Sequence, residues 1–171
     1  MSSTHLRRHI PAPRAAVYAA LLDPAAVVQW RVPDGMRCEV HRWEARVGGT
    51  VRVSLTYEQP TERGKTSSHT DTYRGRFVEL VPSERVVELD EFETSDPQLQ
   101  GAMRSTITLT DARGGGTELE AIHDDLPPGV SAADNEIGWG MALDKLAEYV
   151  VRHRVDLESR SAHDSRPPGA A

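Results

Sequence analysis

The chain has 171 residues, of which 38% are hydrophobic and 27% charged, so its length and composition fit a single globular domain. Its net charge is −6, and the acidic residues are scattered along the sequence. That balance argues against a nucleic-acid binder, which usually carries a concentrated basic face. Cys38 is the only cysteine, which excludes an intrachain disulfide and a metal site built from cysteines.

The first predicted elements are a strand and two short helices. Residues 3–10 are predicted to form the strand, and the helical spacing of apolar residues predicts a helix over residues 14–22. Asp23 and Pro24 suit the N-cap and the first position of a second helix, which is expected to reach about Trp30.

A long region of alternating apolar and polar residues follows, and such alternation is typical of strands with one buried face. Gly75, inside a long strand, predicts a bend or a bulge. Residues 59–65 are polar and predict a loop, and the glycine-rich residues 111–116 predict a hairpin turn. The predicted strands cover residues 36–41, 51–57, 70–80, 85–90, 103–110 and 117–122.

The last predicted element is a helix from about residue 131 to residue 154, with a broad apolar face. It is the only predicted element large enough to cover one face of an antiparallel sheet of this size. The predicted domain therefore spans residues 1–154. Residues 155–171 are polar and end in a proline- and glycine-containing segment, so we expect them to form a disordered tail.

Several short segments stand out as motifs: IPAPRAAVYAALLDP (10–24) followed by Trp30, RVGGT (46–50), YRGRFVELVPSERV (73–86), TITLT (106–110), GTEL (116–119) and the pair Gly138-Trp139. Most of these are turn glycines and core positions. Their order and spacing over about residues 5–152 resemble the START-like domains of the SRPBCC superfamily. Within that superfamily, the motifs are most similar to the branch named after the activator of Hsp90 ATPase.

This resemblance implies an α+β helix-grip fold of the Bet v 1 or START type. In that fold a six- to seven-stranded antiparallel sheet wraps around a long C-terminal helix, and two short helices lie near the N-terminus. The resemblance also implies an internal cavity for lipid-like, polyketide-like or other hydrophobic molecules. It supplies no shared set of catalytic residues and no cofactor.

The expected cavity lies between the long helix and the inward faces of the strands. Asp71 and Tyr73 share a strand face with Phe77, where they could orient a carbonyl ligand or act as acid and base. Alternatively, Asp71 is solvated and Tyr73 packs within the sheet, and Trp139 is a core anchor. The residues expected to line the cavity, with Trp30 near its mouth, are Trp30, Val53, Leu55, Asp71, Tyr73, Phe77, Leu89, Trp139 and Leu143.

The chain has seven histidines, but none of them forms a recognisable metal-binding pattern. His5 and His9 would lie about 13 Å apart on one strand face, which is too far for a single ion. His41, His69 and His123 are expected to be solvated or satisfied in the core. The sequence also lacks a Gly-x-Ser-x-Gly elbow, a Walker-type loop and a His-Glu-x-x-His helix, so we predict no metal and no cofactor, and the sequence identifies no catalytic residue.

The sequence favours a module that binds a small hydrophobic molecule, as a monomer or homodimer, without nucleic-acid or membrane partners. Two alternatives stay open: a cyclase- or aromatase-type enzyme acting on a polyketide-like substrate, and a protein-interaction module resembling the chaperone activator. A cytoplasmic location is expected, since no signal-peptide core and no stretch of ~20 apolar residues is found. The basic residues are almost all arginine, which indicates GC-rich, bacterial codon usage.

Overall fold

The computed structural model describes residues 2–59 and 69–164, with side chains as far as residue 159. The predicted loop over residues 59–65 lies outside the described residues apart from Gln59. Within the described ranges, the order of strands and helices follows the predicted order and adds a final helix. The elements are β1 (Ser2–Ile10), α1 (Arg14–Leu22), α2 (Pro24–Trp30), β2 (Met36–Trp43), β3 (Thr50–Tyr57), β4 (Thr70–Val81), β5 (Arg85–Phe92), β6 (Met103–Asp111), β7 (Thr117–Leu126), α3 (Ala132–Arg152) and α4 (Arg154–Asp164).

The seven strands form one antiparallel sheet in the order β1-β7-β6-β5-β4-β3-β2. Consecutive strands are neighbours from β2 to β7, and β1 pairs with β7 at the edge of the sheet opposite β2. The register of β4 against β5 shifts between Phe77 and Glu79, so the irregularity predicted at Gly75 lies just after it. The predicted α+β helix-grip architecture is confirmed.

Local capping signals set where the helices begin. The carboxylate of Asp23 accepts a hydrogen bond from the backbone N–H of Ala25 at 3.0 Å, and Pro24 occupies the first turn of α2. The hydroxyl of Ser131 accepts from the N–H of Asp134 at 3.2 Å and starts α3 in the same way. These caps fix the residues at which α2 and α3 begin.

The core lies between the concave face of the sheet and the helices. Leu143, Leu146 and Val150 of α3 are completely buried, and they belong to one apolar cluster with side chains from β3, β4, β6 and β7. Burial of a leucine or valine side chain stabilises the folded state by roughly 1.5–3 kcal/mol. The C-terminal half of α3 therefore anchors the helix against the sheet.

The prediction that the domain ends at residue 154 was wrong for residues 155–164. A short break at His153 is followed by α4, which packs against α1. Leu157 is 1% exposed and joins the main core. The polar composition of the segment pointed to disorder, but this apolar side chain meets a surface of α1 that no sequence pattern reveals. The last predicted tail residues, 165–171, lie outside the described residues.

Among the described helices, none combines the length and the apolar character that a membrane crossing needs.

Candidate functional site

A cavity of about 470 Å³ lies between the N-terminal half of α3, the segment after α2 and the concave face of the sheet. Its wall combines many apolar side chains with a smaller polar set. The apolar lining includes Met36, Leu55, Phe92, Met103, Leu126, Val130, Ile137, Trp139, Met141 and Ala142. The polar lining includes Arg31, Asp71, Tyr73, Asp90, Ser105, His123 and Asn135.

Cross-strand pairs build the sheet side of this wall. Side chains directly opposite on antiparallel strands point to the same face and lie close together. The strand register therefore brings side chains from five successive strands onto one surface. The pairs are Leu55 with Asp71, Tyr73 with Phe92, Asp90 with Met103, and Ser105 with His123.

A buried ion cluster joins the segment after α2 to β5. One guanidinium nitrogen of Arg31 donates to Glu88 at 2.7 Å, and another donates to Asp90 at 3.3 Å. All three side chains are less than 10% exposed. Burial alone would lower the pKa of Arg31, but attraction to the carboxylates outweighs it and raises that pKa above its ordinary value. Arg31 therefore remains charged inside the protein.

Asp90 is the member of the cluster that also faces the cavity. Its Oδ2 accepts from Arg31, whereas its Oδ1 is buried without a hydrogen-bond partner among the residues that the structure describes. Burial, together with the charge of Glu88, raises the pKa of Asp90 well above its usual range. Because a Cβ at position 75 would lie only 2.0 Å from Oδ1, Gly75 is the residue that leaves room for this carboxyl group.

Aromatic rings cover the guanidinium of Arg31. Its Cζ lies 5.4 Å from the centre of the Tyr73 ring and 5.2 Å from that of Trp139, distances at which a cation is attracted to a ring. Trp139 also contacts His123, with ring centres 4.4 Å apart, and Trp30, at 6.4 Å. One tryptophan on α3 thus joins the ion cluster to the histidine on β7.

His123 is held by one edge of its ring. Its Nδ1 lies 3.1 Å from the hydroxyl of Thr4 and 3.2 Å from the amide nitrogen of Asn135, which also donates to that hydroxyl at 2.9 Å. Nε2 is buried and, within the described part of the chain, has no partner. Burial, with a further contribution from the charge of Arg31, lowers the pKa of His123 to about 3, so the ring is neutral at physiological pH.

Tyr73 completes the polar set. Its hydroxyl is buried and has no partner in the described ranges, and burial raises the pKa of the phenol well above its ordinary value. Three residues that line one cavity, Tyr73, Asp90 and His123, therefore each carry a buried polar atom without a hydrogen-bond partner among the described residues. Such groups can orient a bound molecule or transfer a proton to it.

The sequence pattern of one protein family, described as Activator of Hsp90 ATPase homolog 1-like protein, matches residues 11–151. The chain belongs to this family. A solved protein of Chromobacterium violaceum is 33% identical, with a TM-score of 0.77, and the match covers 86% of this chain and 96% of that one. The AHSA1 protein of Silicibacter pomeroyi, at 17% identity, TM-score 0.73 and coverage of 89% and 99%, shows a likeness of fold alone. A comparison with curated proteins found no match.

The family match confirms the resemblance predicted from the motifs. The structure shows where each predicted cavity residue of this chain lies. Part of the predicted set lies in the wall, namely Leu55, Asp71, Tyr73 and Trp139. Another part is buried in the core and outside the wall, namely Trp30, Val53, Phe77 and Leu143. The structure thus brings predicted residues from β3, β4 and α3 together in the cavity wall. The other four are packed in the core.

Two predicted residues need a specific correction. Trp30, expected near the cavity mouth, is 1% exposed, and its indole N–H donates to the carbonyl of Ala20 at 3.0 Å. It lies behind Trp139, because α2 packs against α3. Leu89 was expected to face inward, but the neighbouring positions Glu88 and Asp90 take that face, and strand alternation turns Leu89 to the other side of the sheet.

Sequence reasoning missed the four polar wall residues that belong to the buried clusters around Arg31 and His123. The alternation of Val86, Glu88, Asp90 and Phe92 would have identified the inward carboxylates of β5, but adjacent Val87 and Leu89 suggested the opposite face. No local pattern marks the other three, because each is brought to the wall by tertiary packing. The missed residues are Arg31, Asp90, His123 and Asn135.

Within the described ranges, no three histidine, cysteine or acidic side chains converge closely enough to hold a metal ion.

Proposed function

We propose that this family member binds a small molecule that has an apolar body and one hydrogen-bonding end. The observation that carries the proposal is one cavity whose largely apolar lining includes three residues with buried polar atoms that have no partner in the described part of the chain: the hydroxyl of Tyr73, Oδ1 of Asp90 and Nε2 of His123. The volume of about 470 Å³ lies within the range of roughly 300–1,000 Å³ found for sites of drug-sized ligands.

The polar atoms argue for an amphipathic ligand over a pure hydrocarbon. A buried polar group without a partner is unfavourable, so a ligand that hydrogen-bonds to it gains affinity by removing that penalty. The apolar lining, from Leu55 on β3 to Met141 on α3, supplies the larger area for the rest of the ligand. Lipid-like and polyketide-like molecules both combine an apolar body with a polar, hydrogen-bonding group.

A second candidate is an enzyme of the cyclase or aromatase type. It is favoured by one observation: Asp90, whose pKa burial raises, and Tyr73, whose phenol is neutral, both line the cavity and could donate or accept protons. Incubation with a linear polyketide mimic, followed by product analysis, separates the two candidates. Binding without turnover supports a binding module alone.

Titration with N-phenylnaphthylamine, a fluorescent apolar probe, tests the binding function. The wild type should bind the probe saturably with one site per chain. Leu55→Trp places a larger ring in the cavity wall and should weaken binding at least tenfold, which corresponds to about 1.4 kcal/mol.

The matched control is Val151→Trp, since Val151 is half exposed on the outer side of α3 and lies outside the cavity wall. It should bind the probe like the wild type. Equal probe affinity in the wild type and Leu55→Trp would show that the probe binds elsewhere and would overturn the proposal.

A further inference from the structure

The contacts of the His123 ring determine which of its two nitrogens carries the proton, and so whether Nε2 is a hydrogen-bond donor or an acceptor. The ring contacts Trp139, with centres 4.4 Å apart and planes tilted by 44°, and Nδ1 lies within hydrogen-bonding distance of Thr4 and Asn135. The residue is 4% exposed and lines the cavity. Nε2 is its only ring nitrogen without a partner among the described residues.

The hydrogen-bond donors around Nδ1 determine the tautomer. The side-chain amide of Asn135 donates to the Thr4 hydroxyl at 2.9 Å and is also 3.2 Å from Nδ1. The amide nitrogen of Asn135 can only donate, so Nδ1 faces it with a lone pair, and the Thr4 hydroxyl can turn its own proton toward Nδ1 at 3.1 Å. Nδ1 therefore accepts hydrogen bonds and carries no proton.

The single proton of a neutral imidazole must then be on Nε2. The ring is neutral because it is buried and because the positive charge of Arg31 acts on it through the same region of the cavity. Nε2–H is consequently a buried donor on a residue that lines the cavity, and the described residues leave it unpaired. A ligand acceptor placed there removes an unfavourable unmade hydrogen bond.

We propose that Asn135 and Thr4 act as positioning residues that hold His123 in its Nε2–H tautomer, and that this donor selects ligands whose polar end accepts a hydrogen bond, such as a ketone or another carbonyl. The selection rests on the proposed binding function. The tautomer itself does not, because it follows from contacts among Thr4, His123 and Asn135 alone. The two parts can therefore be tested separately.

Nitrogen NMR of the ligand-free protein tests the tautomer. The shifts of protonated and unprotonated imidazole nitrogens differ widely, and His123→Gln identifies the His123 signals by their loss. The wild type should show a protonated Nε2 and an unprotonated Nδ1 at pH 8. A protonated Nδ1 in the wild type would overturn the proposal whatever the protein binds.

Asn135→Asp provides the sharpest perturbation, because it changes the shape of the side chain very little. A carboxylate at this position accepts hydrogen bonds and donates none, so it should draw the proton to Nδ1 and leave Nε2 as an acceptor. Ala133→Asp is the matched control. It adds the same charge at an exposed position one residue before Asp134 and should leave the tautomer unchanged.

Ligand selection is tested with methyl naphthyl ketone and the alcohol formed by its reduction. The ketone can only accept, whereas the alcohol can accept or donate. Wild type and Ala133→Asp should bind both compounds, and Asn135→Asp should lose affinity for the ketone relative to the alcohol by about tenfold. Far-ultraviolet circular dichroism and probe binding check that each variant is folded.

Each result points in one direction. A tautomer switch in Asn135→Asp with a shifted ketone-to-alcohol ratio supports the whole proposal. A switch without any change in that ratio overturns the selection while the binding function stands. If neither compound nor N-phenylnaphthylamine binds the wild type, both the binding function and the selection fail, and the tautomer assignment is decided by NMR alone.

Discussion

Arg31 is a charged residue placed where apolar side chains would ordinarily pack. It follows the last turn of α2, and its guanidinium is enclosed by Glu88, Asp90 and two aromatic rings. Burial and the charge of Glu88 raise the pKa of Asp90 although Arg31 acts in the opposite sense, so Asp90 retains a proton more readily than an ordinary aspartate. Arg31 therefore both balances buried negative charge in the core and contacts Asp90, which lines the cavity.

Replacing Arg31 by methionine should lower the free energy of unfolding by about 3–5 kcal/mol, because it leaves buried carboxyl groups without their cation. Urea denaturation measures the loss. The control is Arg52→Met, which breaks a pair of hydrogen bonds to Glu93 on the protein surface and should cost far less. Losses of similar size in the two variants would contradict the buried-cluster interpretation.

His123 should make stability depend on pH in a predictable direction. Its folded-state pKa of about 3 lies below the ordinary value of 6.5, so between these values the unfolded chain binds a proton that the native protein does not. The His123 contribution is therefore complete above pH 6.5 and is lost as the pH falls toward 3, by up to about 1.4 kcal/mol per pH unit.

His123→Gln removes this group, so the stability of the variant should fall less steeply on acidification than that of the wild type. The raised pKa of Asp90 acts in the opposite sense, stabilising the native state most at low pH. Because Asp90 is present in both proteins, its contribution cancels in the difference. Parallel stability curves between pH 7 and pH 4.5 would argue against a buried, neutral His123.

At the scale of whole elements, α4 shows how little apolar surface is needed to dock a helix. The helix is polar along most of its length, yet Leu157 reaches the core and α4 packs against α1. The backbone bond from the N–H of Leu157 to the carbonyl of His153, at 3.1 Å, joins it to the end of α3. The domain core therefore extends beyond the long helix.

Leu157→Ala should lower the free energy of unfolding by about 2–5 kcal/mol, the usual cost of truncating a buried leucine. The control is Val155→Ala, since Val155 is 76% exposed on the same helix and should change stability by less than about 0.5 kcal/mol. Thermal denaturation of both variants gives the comparison. If Leu157→Ala melts like the wild type, α4 is not part of the cooperative core.

At the scale of the whole molecule, the two halves of α3 have different surroundings. Its N-terminal half forms one wall of the cavity, and its C-terminal half carries the buried residues Leu143, Leu146 and Val150. The N-terminal half of α3 faces a cavity where packed side chains would otherwise lie, so fewer contacts hold this half of the helix against the sheet. The cavity and the packed core thus lie against different parts of one helix.

Amide hydrogen exchange should reveal this division. Residues 143–150 should exchange only through global unfolding, whereas residues 134–141 should exchange faster through local opening. Saturating N-phenylnaphthylamine should slow exchange mainly over residues 134–141. Uniform protection along α3, changed equally throughout by the probe, would contradict the two-part description.

The sequence by itself was sufficient for the order of the elements as far as α3 and for the fold class. Strand alternation, the Asp23-Pro24 cap and the apolar face of the last long helix are local patterns, because each follows from the period of a single helix or strand. The motifs between residues 10 and 139 were likewise sufficient for the family, which the match over residues 11–151 confirms.

Only the tertiary structure decided the composition of the cavity wall. Alternation identified Leu55, Asp71 and Tyr73 as inward-facing, but it placed Leu89 on the wrong side, since β5 is apolar at adjacent positions on both of its faces. Which inward residues line a cavity and which pack solidly depends on where the helices approach the sheet. That approach is decided by contacts between residues far apart in the chain, such as Thr4 with Asn135 and Arg31 with Glu88, and no local period encodes them.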